Sequence, residues 1–521
     1  MGNVISKKVS MHRKVCVKDG MDEAAADSGE GLNWPKRTGD YLRFIGLVAI
    51  VWVILGCQST ERTDRPNVVM ISIDDLNTMI GCMGTVDVYT PNIDRLAARG
   101  MLFTNAHCQA PLCGPSRASV MMGMRPSTTG IYGQIQDKDL AKVQAELGDI
   151  VLLPQYFRDH GYYTMGVGKI FHQHAPEGVL DESGGRVKGF GPKPPDGGFF
   201  VWNRKGTSTD WGAYPDQDSA MYDYQYTRWA VERLHREYPQ PFFLAVGLTR
   251  PHVPWYVPQR WFDLYDTSLI QVPPYLETDM DDVPDIVHEI DDMPMYPTTE
   301  WARRSGEWKN IVRAYMACVS FVDHCVGQIL NALEEGPHAE NTIVVLWSDH
   351  GYRLGEKGTF AKQCLWNVAT QVPMMISGPE LPQNVSIDAP TELLSIYPTL
   401  LELCGLPPNP ENEGRSLTPL MENEGTNWDY PAVTTYGKEN HSIVSGNYRY
   451  IRYEDGSEEL YDRVADPNEW YNLAKERREN HTILMEEMKS QLPAVNAEWS
   501  AYSSYSINDY FRRTSLKGKD H

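Results

Sequence analysis

The sequence predicts an α/β protein with a mostly parallel sheet, helices on both faces of that sheet, and a smaller C-terminal α+β subdomain. Three observations lead to this prediction. Short apolar runs alternate with helical patterns, several of these runs end in ionisable residues, and short alternating segments replace the pattern after about residue 427. Uniformly apolar runs between helices are typical of strands that are buried on both faces of a parallel sheet.

Five apolar runs are predicted to form the central sheet. They cover residues 68–73, 162–167, 242–247, 343–347 and 372–376. Ligands of open parallel sheets bind outside the carboxyl ends of the strands. The ionisable residues that follow these runs are therefore the candidates for a functional site.

A long helix is predicted over residues 311–333, and it carries Cys318 and Cys325. Two helical turns separate their Cα atoms by about 10 Å, which exceeds the reach of a disulfide. These two cysteines are therefore predicted to be unpaired structural thiols.

Two segments, 177–217 and 273–298, are predicted to be long surface loops on the ligand side of the sheet. The first is rich in Gly, Pro, Trp and Asp, and the second is acidic with Pro and Met. Such compositions are typical of loops. We place the larger domain at residues 57–427 and the C-terminal subdomain at 428–521, with a helix over 481–492.

The first 56 residues are predicted to be a leader rather than part of the fold. Basic residues up to Arg43 precede an apolar run over residues 44–55, and a small residue and Cys57 follow. This order is typical of a bacterial lipoprotein signal, with cleavage before Cys57 and lipidation of that cysteine. We therefore expect a lipid-anchored protein of the bacterial cell envelope, periplasmic or at the cell surface. A true membrane span is the alternative, although it needs about 20 apolar residues.

The charge balance excludes nucleic acid as a partner. The chain has 48 Lys and Arg against 69 Asp and Glu, a formal net charge of -21. Such a surplus repels polyanions unless a binding pocket is locally basic or salt screens the surface. Any anionic ligand must therefore be recognised by a few cationic residues.

Two of the predicted strands end in potential metal ligands. Asp74 and Asp75 follow the first strand, and Asp349 and His350 follow the fourth. Adjacent buried carboxylates repel each other unless a cation or protons neutralise them. Oxygen-rich sites favour Ca²⁺ or Mg²⁺, while the imidazole keeps a transition metal open.

Residues 113–117 read Cys-Gly-Pro-Ser-Arg, a C-x-P-S-R motif. Pro115 is predicted at the first position of a helix, so that the amino end of this helix faces an anionic centre. The motif resembles that of the type I sulfatases, in which this Cys is oxidised to formylglycine. Further blocks resemble the family in order and spacing, most closely the iduronate-2-sulfatase group. They are residues 66–69, 73–76, 90–97, 166–172, 250–254, 348–351 and 361–362.

The resemblance implies an alkaline-phosphatase-like fold and a set of metal ligands. The implied ligands are Asp74, Asp75, Asp349, His350 and the side chain at Cys113. Ca²⁺ is the expected ion, with Mg²⁺ or another divalent ion as alternatives. The implied partners are a sulfated glycan substrate and a formylglycine-generating or anaerobic sulfatase-maturating enzyme.

The resemblance also implies catalytic roles. Formylglycine at Cys113 would be the nucleophile, and Arg117 would steady its hydrate. Lys169 and Lys362 would neutralise the sulfate oxygens. His172 would orient the nucleophile as a base. The leaving oxygen would be protonated by His252 or Lys362. The sequence does not decide which of these two residues donates the proton.

The implied function is hydrolysis of a sulfate ester on a carbohydrate, with release of inorganic sulfate. A uronic acid 2-O-sulfate is the favoured substrate. The alternatives are a phosphoric or phosphonic ester hydrolase of the alkaline-phosphatase superfamily and a catalytically silent glycan-binding surface protein. Arg250, Tyr352, Arg353 and Lys357 differ from the iduronate-2-sulfatase group. We interpret these residues as pocket side chains that bear on the choice of sugar.

Overall fold

The computed structural model describes residues 65–517, apart from 86, 149, 199–208, 424, 477 and 506–507. The predicted leader and lipid-acceptor Cys57 lie outside the described residues. The strands are β1 (Asn67–Ile73), β2 (Met101–His107), β3 (Gln134–Ile135), β4 (Tyr163–Gly168), β5 (Glu182–Gly185), β6 (Trp211–Ala213), β7 (Phe242–Leu248), β8 (Trp255–Val257), β9 (Thr342–Ser348), β10 (Gln371–Ser377), β11 (Val385–Ile387), β12 (Thr391–Glu392), β13 (Ala432–Thr435), β14 (His441–Ser445), β15 (Tyr448–Arg452), β16 (Glu458–Asp462) and β17 (Ser503–Ser504).

The α-helices enclose the sheet and extend the C-terminal part. They are α1 (Pro91–Ala98), α2 (Cys113–Met122), α3 (Pro126–Thr129), α4 (Asp137–Leu147), α5 (Leu153–Asp159), α6 (Tyr222–Leu234), α7 (Gln259–Phe262), α8 (Asp285–Ile290), α9 (Thr299–Ser305), α10 (Trp308–Glu335), α11 (Asn367–Thr370), α12 (Ile396–Leu403), α13 (Thr418–Glu422), α14 (Glu479–Lys489) and α15 (Asp509–Lys517).

The predicted mostly parallel sheet is confirmed. Its strand order is β11-β2-β10-β9-β1-β7-β4-β5, and β12 also pairs with β2. Strand β10 runs antiparallel to β2 and β9, and the other pairs of this sheet are parallel. Strands β1, β7 and β9 are buried along their whole length, which explains why their sequences are uniformly apolar.

Helices cover both faces of the sheet. The long helix α10 packs with α1 and α6 on one face, where its residues Val312, Val319 and Val326 are completely buried. This helix is long and apolar enough to span a membrane by composition, but 83% of its most apolar window is buried inside the protein. It is therefore a core helix. Helices α2, α5 and α12 contribute to the core on the opposite face.

Helix α2 begins at Cys113, two residues earlier than predicted. Its N-cap residue Leu112 is extended, and Gly123 ends the helix in the left-handed conformation with φ +72°. Pro115 is therefore the third helical residue rather than the first. Its missing N–H costs nothing there, because the first turn of a helix has no intrahelical acceptor for these groups.

The C-terminal part contains a four-stranded antiparallel sheet in the order β13-β14-β15-β16. One face of this sheet packs against α14 through Met488 and its neighbours. Arg449 links the sheet to the rest of the molecule, because it is fully buried and donates to the carbonyl of Leu365 at 3.1 Å and to Asn367 at 2.7 Å. The subdomain is therefore anchored to the segment that precedes β10.

The segment 273–298 is only in part the surface loop that its composition predicted. It contains α8, and Val287 and Ile290 of this helix are buried. Two of its acidic residues pair with buried cations. Asp291 accepts two bonds from Arg353 at 2.6 and 2.9 Å, and Asp279 accepts from Lys357 at 2.5 Å. The acidic composition therefore has two origins: two carboxylates pair with buried cations, and Glu277, Asp281, Asp285, Glu289 and Asp292 are exposed to water.

These pairs also correct the interpretation of Arg353 and Lys357 as pocket residues. The Arg353 side chain is completely buried and is held by Asp291. Lys357 is 4% exposed and also donates to the carbonyl of Glu469. Both cations are neutralised within the fold, so they stabilise packing rather than face a ligand. Tyr352 is buried too and donates to the carbonyl of Phe360 at 2.7 Å.

The cysteines within the described part of the chain are unpaired thiols. Cys318 and Cys325 are completely buried on α10, as their spacing predicted.

Tyr315 on α10 holds the turn that follows β1. It is completely buried, its hydroxyl donates to the carbonyl of Asp75 at 2.8 Å, and it accepts from the N–H of Asn77 at 2.9 Å. Asp75 has φ +64°, a left-handed conformation that costs about 1–2 kcal/mol for a residue with a Cβ. The two bonds therefore stabilise a turn that the backbone alone disfavours.

Tyr315→Phe should lower the free energy of unfolding by about 1–3 kcal/mol, because a buried carbonyl and a buried N–H lose their partner. Denaturation in urea measures this change. Because Asp75 lies on the turn, the variant should also bind Ca²⁺ more weakly in a calorimetric titration.

Tyr397→Phe is the matched control. Tyr397 is also completely buried, but its hydroxyl donates to the carbonyl of Val151 at 3.0 Å on the opposite face of the sheet. It should lose stability and keep its Ca²⁺ affinity. Equal Ca²⁺ affinities for both variants would show that Tyr315 does not shape the turn.

Candidate active site

The sequence-predicted site residues come together at the carboxyl ends of the central strands. Asp74 and Asp75 follow β1, Lys169 follows β4, His252 lies four residues beyond β7, and Asp349 and His350 follow β9. Cys113 starts α2 in the segment after β2. Ligand atoms of two overlapping sets lie within 4.8 Å of one another. These sets are Asp74, Asp75, Cys113 and His252, and Asp74, Cys113, Asp349 and His350.

Three carboxylates and three cations form the centre of this site, which we call the charge cluster. Arg117 Nε lies 2.7 Å from Asp349 Oδ2, and Lys362 Nζ lies 2.5 Å from Asp75 Oδ1. Lys169 forms the third pair, with Asp74. The six side chains are at most 4% exposed. Away from water such opposite charges interact far more strongly than on a surface, so each one depends on its partner.

Arg117 also fixes the backbone around the cluster. Its Nη1 donates to Ser72 Oγ at 3.0 Å and to the carbonyls of Lys169 and Ile170. One guanidinium thus joins the ends of β1, β4 and β9. The motif arginine is positioned as a structural cross-link as well as a charge.

The two adjacent aspartates differ in their protonation. Burial would raise the pKa of Asp74, but the Lys169 cation, with Arg117, holds it well below its usual value. Burial raises the pKa of Asp75 to about 7, against the opposing charge of Lys362. The negative charge of Asp74 adds to this increase. Asp75 is therefore the carboxylate that a further positive charge would stabilise most.

The residues present fit a divalent cation. Asp74 Oδ1 and Asp75 Oδ2 are buried oxygens without a hydrogen-bond partner. Buried carboxylate oxygens are costly unless they are hydrogen-bonded or coordinate a metal. Asp349 Oδ1 and an imidazole nitrogen of His350 lie beside them, 3.5 Å apart. Such an oxygen-rich set favours a hard cation such as Ca²⁺ or Mg²⁺.

His350 and His252 point an unprotonated nitrogen at the cluster. His350 Nδ1 lies 2.9 Å from the carbonyl of Gly351, and His252 Nδ1 lies 2.6 Å from the carbonyl of Val253. A carbonyl can only accept, so Nδ1 carries the proton in both rings. Burial lowers the pKa of both imidazoles, so Nε2 keeps its lone pair. It can bind a metal or accept a proton.

Cys113 lies at the centre of the site and is 1% exposed. Its Sγ is 3.1 Å from Lys362 Nζ and 3.2 Å from His350 Nε2. Burial raises the pKa of the thiol, and the charge of Asp74 raises it further. The unmodified side chain is therefore a neutral thiol, which is a poor nucleophile.

His172 lies at the outer side of the site and does not contact the Cys113 thiol. It is half-buried, and its Nδ1 has no hydrogen-bond partner. Burial, followed by the charge of Lys169, lowers its pKa to about 3. The ring is therefore neutral. It is available to a ligand that enters from outside.

Arg250 braces the loop that carries His252. It is completely buried and donates to the carbonyls of Tyr256, Phe190 and His252 at 3.1, 2.7 and 3.1 Å. Its Nε and Nη1 are used by backbone carbonyls, whereas its buried Nη2 has no hydrogen-bond partner among the described residues. The interpretation of Arg250 as a residue that bears on the choice of sugar stays a prediction.

Several contacts of the site were not anticipated from the sequence. Ser116 Oγ donates to the carbonyl of Asp349 at 2.5 Å, and Gln134 accepts from the N–H of Gly114 at 2.9 Å. The Phe190 ring stacks on His252, with centroids 4.1 Å apart and an interplanar angle of 5°. The serine was visible as part of the motif, but no local pattern identifies Gln134 or Phe190.

Comparison with known proteins gives a consistent assignment. The chain matches the family described as Sulfatase over residues 66–406 and the family described as N-sulphoglucosamine sulphohydrolase, C-terminal, over residues 355–498. A protein named Sulfatase from Formosa agariphila is 53% identical over 485 residues, which are 89% of this chain and 95% of that relative. Iduronate 2-sulfatase from Homo sapiens is 33% identical over 422 residues, which are 71% of this chain and 75% of that relative.

Solved structures confirm the alkaline-phosphatase-like architecture. A phosphonate monoester hydrolase of Agrobacterium radiobacter has a TM-score of 0.65 at 20% identity, covering 82% of this chain and 95% of its own. A structure described as a 2-O GAG sulfatase has a TM-score of 0.59 at 22% identity, covering 88% and 94%. At these identities the likeness concerns the fold alone. The match to the family covers most of the chain, and the chain belongs to the sulfatase family of sulfuric ester hydrolases.

Proposed function

We propose that this sulfatase removes sulfate from a sulfated carbohydrate, with a uronic acid 2-O-sulfate as the favoured substrate and a formylglycine made from Cys113 as the nucleophile. One observation carries the proposal. The side chain of residue 113 lies within 3.2 Å of both Lys362 and His350, inside a buried cluster of acids and cations. The likeness to human iduronate 2-sulfatase supports the choice of sugar.

The chemistry of residue 113 favours modification. A buried, neutral thiol offers no charged nucleophile. As its hydrate, formylglycine would supply one hydroxyl that attacks sulfur and a second that loses a proton to expel sulfate and restore the aldehyde. The one free lone pair of His350 lies on Nε2, 3.2 Å from the present sulfur, so His350 would act as a metal ligand beside the hydroxyl and not as a proton acceptor.

The modification must precede folding. The motif residues 113–117 are buried in the folded protein. A maturating enzyme therefore has access to Cys113 only in an unfolded or nascent chain. We propose such an enzyme as a partner, together with a lipid anchor at Cys57 that places the protein in the bacterial cell envelope.

Asp74, Asp75, Asp349, His350 and the side chain of residue 113 would hold the metal, with Ca²⁺ favoured. The ion would supply positive charge beside the reacting group. Lys169 and Lys362 are the cations that would neutralise the sulfate oxygens. Arg117 bonds to groups at three strand ends and would hold the side chains of the charge cluster in place.

Lys362 is a better proton donor to the leaving oxygen than His252. Burial lowers the pKa of Lys362, but Asp75 more than offsets this effect and raises it well above its usual value, so the ammonium group is charged. Its Nζ is also 3.1 Å from the side chain of residue 113. His252 Nε2 carries no proton because Nδ1–H is bonded to Val253. His252 is therefore assigned to orientation.

The first test is the mass of the peptide that contains residue 113, from protein produced together with a maturating enzyme. We expect the aldehyde in place of the thiol in the active fraction. An active preparation in which residue 113 is entirely an unmodified thiol would refute the formylglycine mechanism.

Cys113→Ala should fold normally and lose at least about 10³-fold in kcat on a sulfated uronide, because the nucleophile is absent. Cys404→Ala is the matched control, since Cys404 is a buried thiol at the end of α12, in a core cluster that does not include Cys113, and the variant should keep its activity. The same assay with phosphate and phosphonate esters tests the alternative enzyme class. Faster hydrolysis of either ester than of every sulfate ester would favour that class.

Removal of the metal should lower both activity and thermal stability. Ca²⁺ binds the native site and not the unfolded chain, so it should stabilise the protein by about 2.7 kcal/mol at 100-fold excess over the dissociation constant. Differential scanning calorimetry after treatment with a chelator, and again after addition of Ca²⁺, measures this effect. Asp349→Asn should lose most of the Ca²⁺-dependent shift. An unchanged transition temperature in the presence of chelator would argue against a resident cation.

A further inference from the structure

The exposures of the site residues show the direction from which a substrate enters. Cys113, Lys169 and Lys362 are at most 3% exposed, whereas His172, Arg186 and Phe190 are half-buried. A sulfate group must reach residue 113, but the sugar that carries it is too large for the buried cluster. The sugar therefore lies against the half-buried residues.

Phe190 joins this outer layer to the catalytic centre. Its ring stacks on His252 at 4.1 Å, and its centroid lies 5.7 Å from Lys169 Nζ. On the other side, its centroid lies 5.4 Å from the guanidinium carbon of Arg186. Arg186 is thus one aromatic ring away from the residues that contact the sulfate.

The segment that carries Arg186 and Phe190 is held in place by the fold. The N–H of Val187 donates to Tyr226 at 2.9 Å, and Arg250 donates to the carbonyl of Phe190 at 2.7 Å. Gly191 follows with φ +104°, and a Cβ at this position would lie 2.4 Å from Arg250 Nη2. The segment is therefore fixed by contacts at both ends, which reduces the entropy lost when a ligand binds.

Arg186 differs from the other cations near the site. Arg117, Lys169 and Lys362 are each paired with a carboxylate of the charge cluster. Within the described part of the chain, Arg186 forms no ion pair; its Nη2 donates to the carbonyl of Gly189 at 3.1 Å, and its buried Nε has no partner.

Asp137 is a carboxylate within electrostatic range of Arg186, and its oxygens already accept other hydrogen bonds. The donors of these bonds are the N–H groups of Gln173 and His174. The Arg186 guanidinium therefore keeps donors for a ligand.

The charges of the reaction explain what such a cation would bind. Three acids balance three cations in the cluster, and a divalent ion would balance the single charge of one sulfate ester together with that of an ionised nucleophile. A second negative group on the sugar would face a protein with a net charge of -21 and would need a cation of its own. A guanidinium is suited to this task, because it binds carboxylate or sulfate oxygens through two parallel N–H groups.

We propose that Arg186, supported by Phe190, is the residue that recognises a second anionic group of the substrate, a carboxylate or a second sulfate. This inference rests on the proposed action on a sulfated carbohydrate. It explains how a strongly acidic protein selects an acidic sugar. The selection is made by one half-buried cation outside the charge cluster and not by the net charge of the protein surface.

The test measures binding without turnover. Cys113→Ala protein with Ca²⁺ is titrated in a calorimeter with three sugars. The first is a 2-O-sulfated uronide, which is doubly anionic, and the second is the matching 2-O-sulfated hexoside with CH₂OH in place of the carboxylate, which is singly anionic. The third is that hexoside with a second sulfate, which is again doubly anionic. The Cys113→Ala parent protein should bind one or both doubly anionic sugars at least about tenfold more tightly than the singly anionic hexoside, as expected for a charged hydrogen bond. The preferred sugar identifies the group as carboxylate or sulfate.

Adding Arg186→Gln should remove this preference and leave the affinity for the singly anionic hexoside within about twofold of the parent value. Lys188→Gln is the matched control, because Lys188 is an exposed cation on the same segment and should keep the preference. A parent protein without a preference for doubly anionic sugars, or an Arg186→Gln variant that binds all three sugars more weakly by the same factor, would overturn the inference. If the preference depends on Arg186 but Cys113-containing protein hydrolyses none of the sulfate esters, the proposed function fails while the recognition role stands.

Discussion

The buried cluster of three carboxylates and three cations is the constraint on which the site depends. Removing one member leaves a buried charge without a partner, which costs several kcal/mol in proteins. The cluster therefore couples the ends of β1, β4 and β9 through Arg117, Lys169 and Asp349. Each strand end is held where the chemistry needs it because the charges cannot be separated cheaply.

This arrangement also makes the two adjacent aspartates differ in their ionisation. Asp74 is firmly ionised beside Lys169, whereas Asp75 retains a raised pKa despite Lys362. The two unpartnered carboxylate oxygens mark the place where positive charge is still missing. A divalent cation would balance the single charge of an incoming sulfate ester together with that of an ionised nucleophile, so the protein need not reorganise to remain neutral.

Burial of the motif has a second consequence. The side chain that would carry the reaction is enclosed by the core of the fold, at the amino end of a helix in which every residue is buried. Specificity therefore has to be exerted further out, by residues that do not belong to the reacting group. Arg250, Arg353 and Lys357 look like such residues in the sequence, but Arg353 and Lys357 are paired with carboxylates, and Arg250 is completely buried against backbone carbonyls.

The sequence by itself determined the long helix, the reacting groups and five of the nine strands that the described residues form in the central sheet. Uniform apolar runs, helical periodicity and the residues directly after each run are local features, and the fold keeps them local. The helix predicted over 311–333 is observed at Trp308–Glu335, and Asp74, Asp75, Asp349 and His350 meet because parallel strands end at the same edge. The tertiary structure alone decided which charges are free. Asp291 and Arg353, like Phe190 and His252, are far apart in the chain, and only packing brings them together. A residue type shows that a charge is present, but its partner is chosen by the three-dimensional fold.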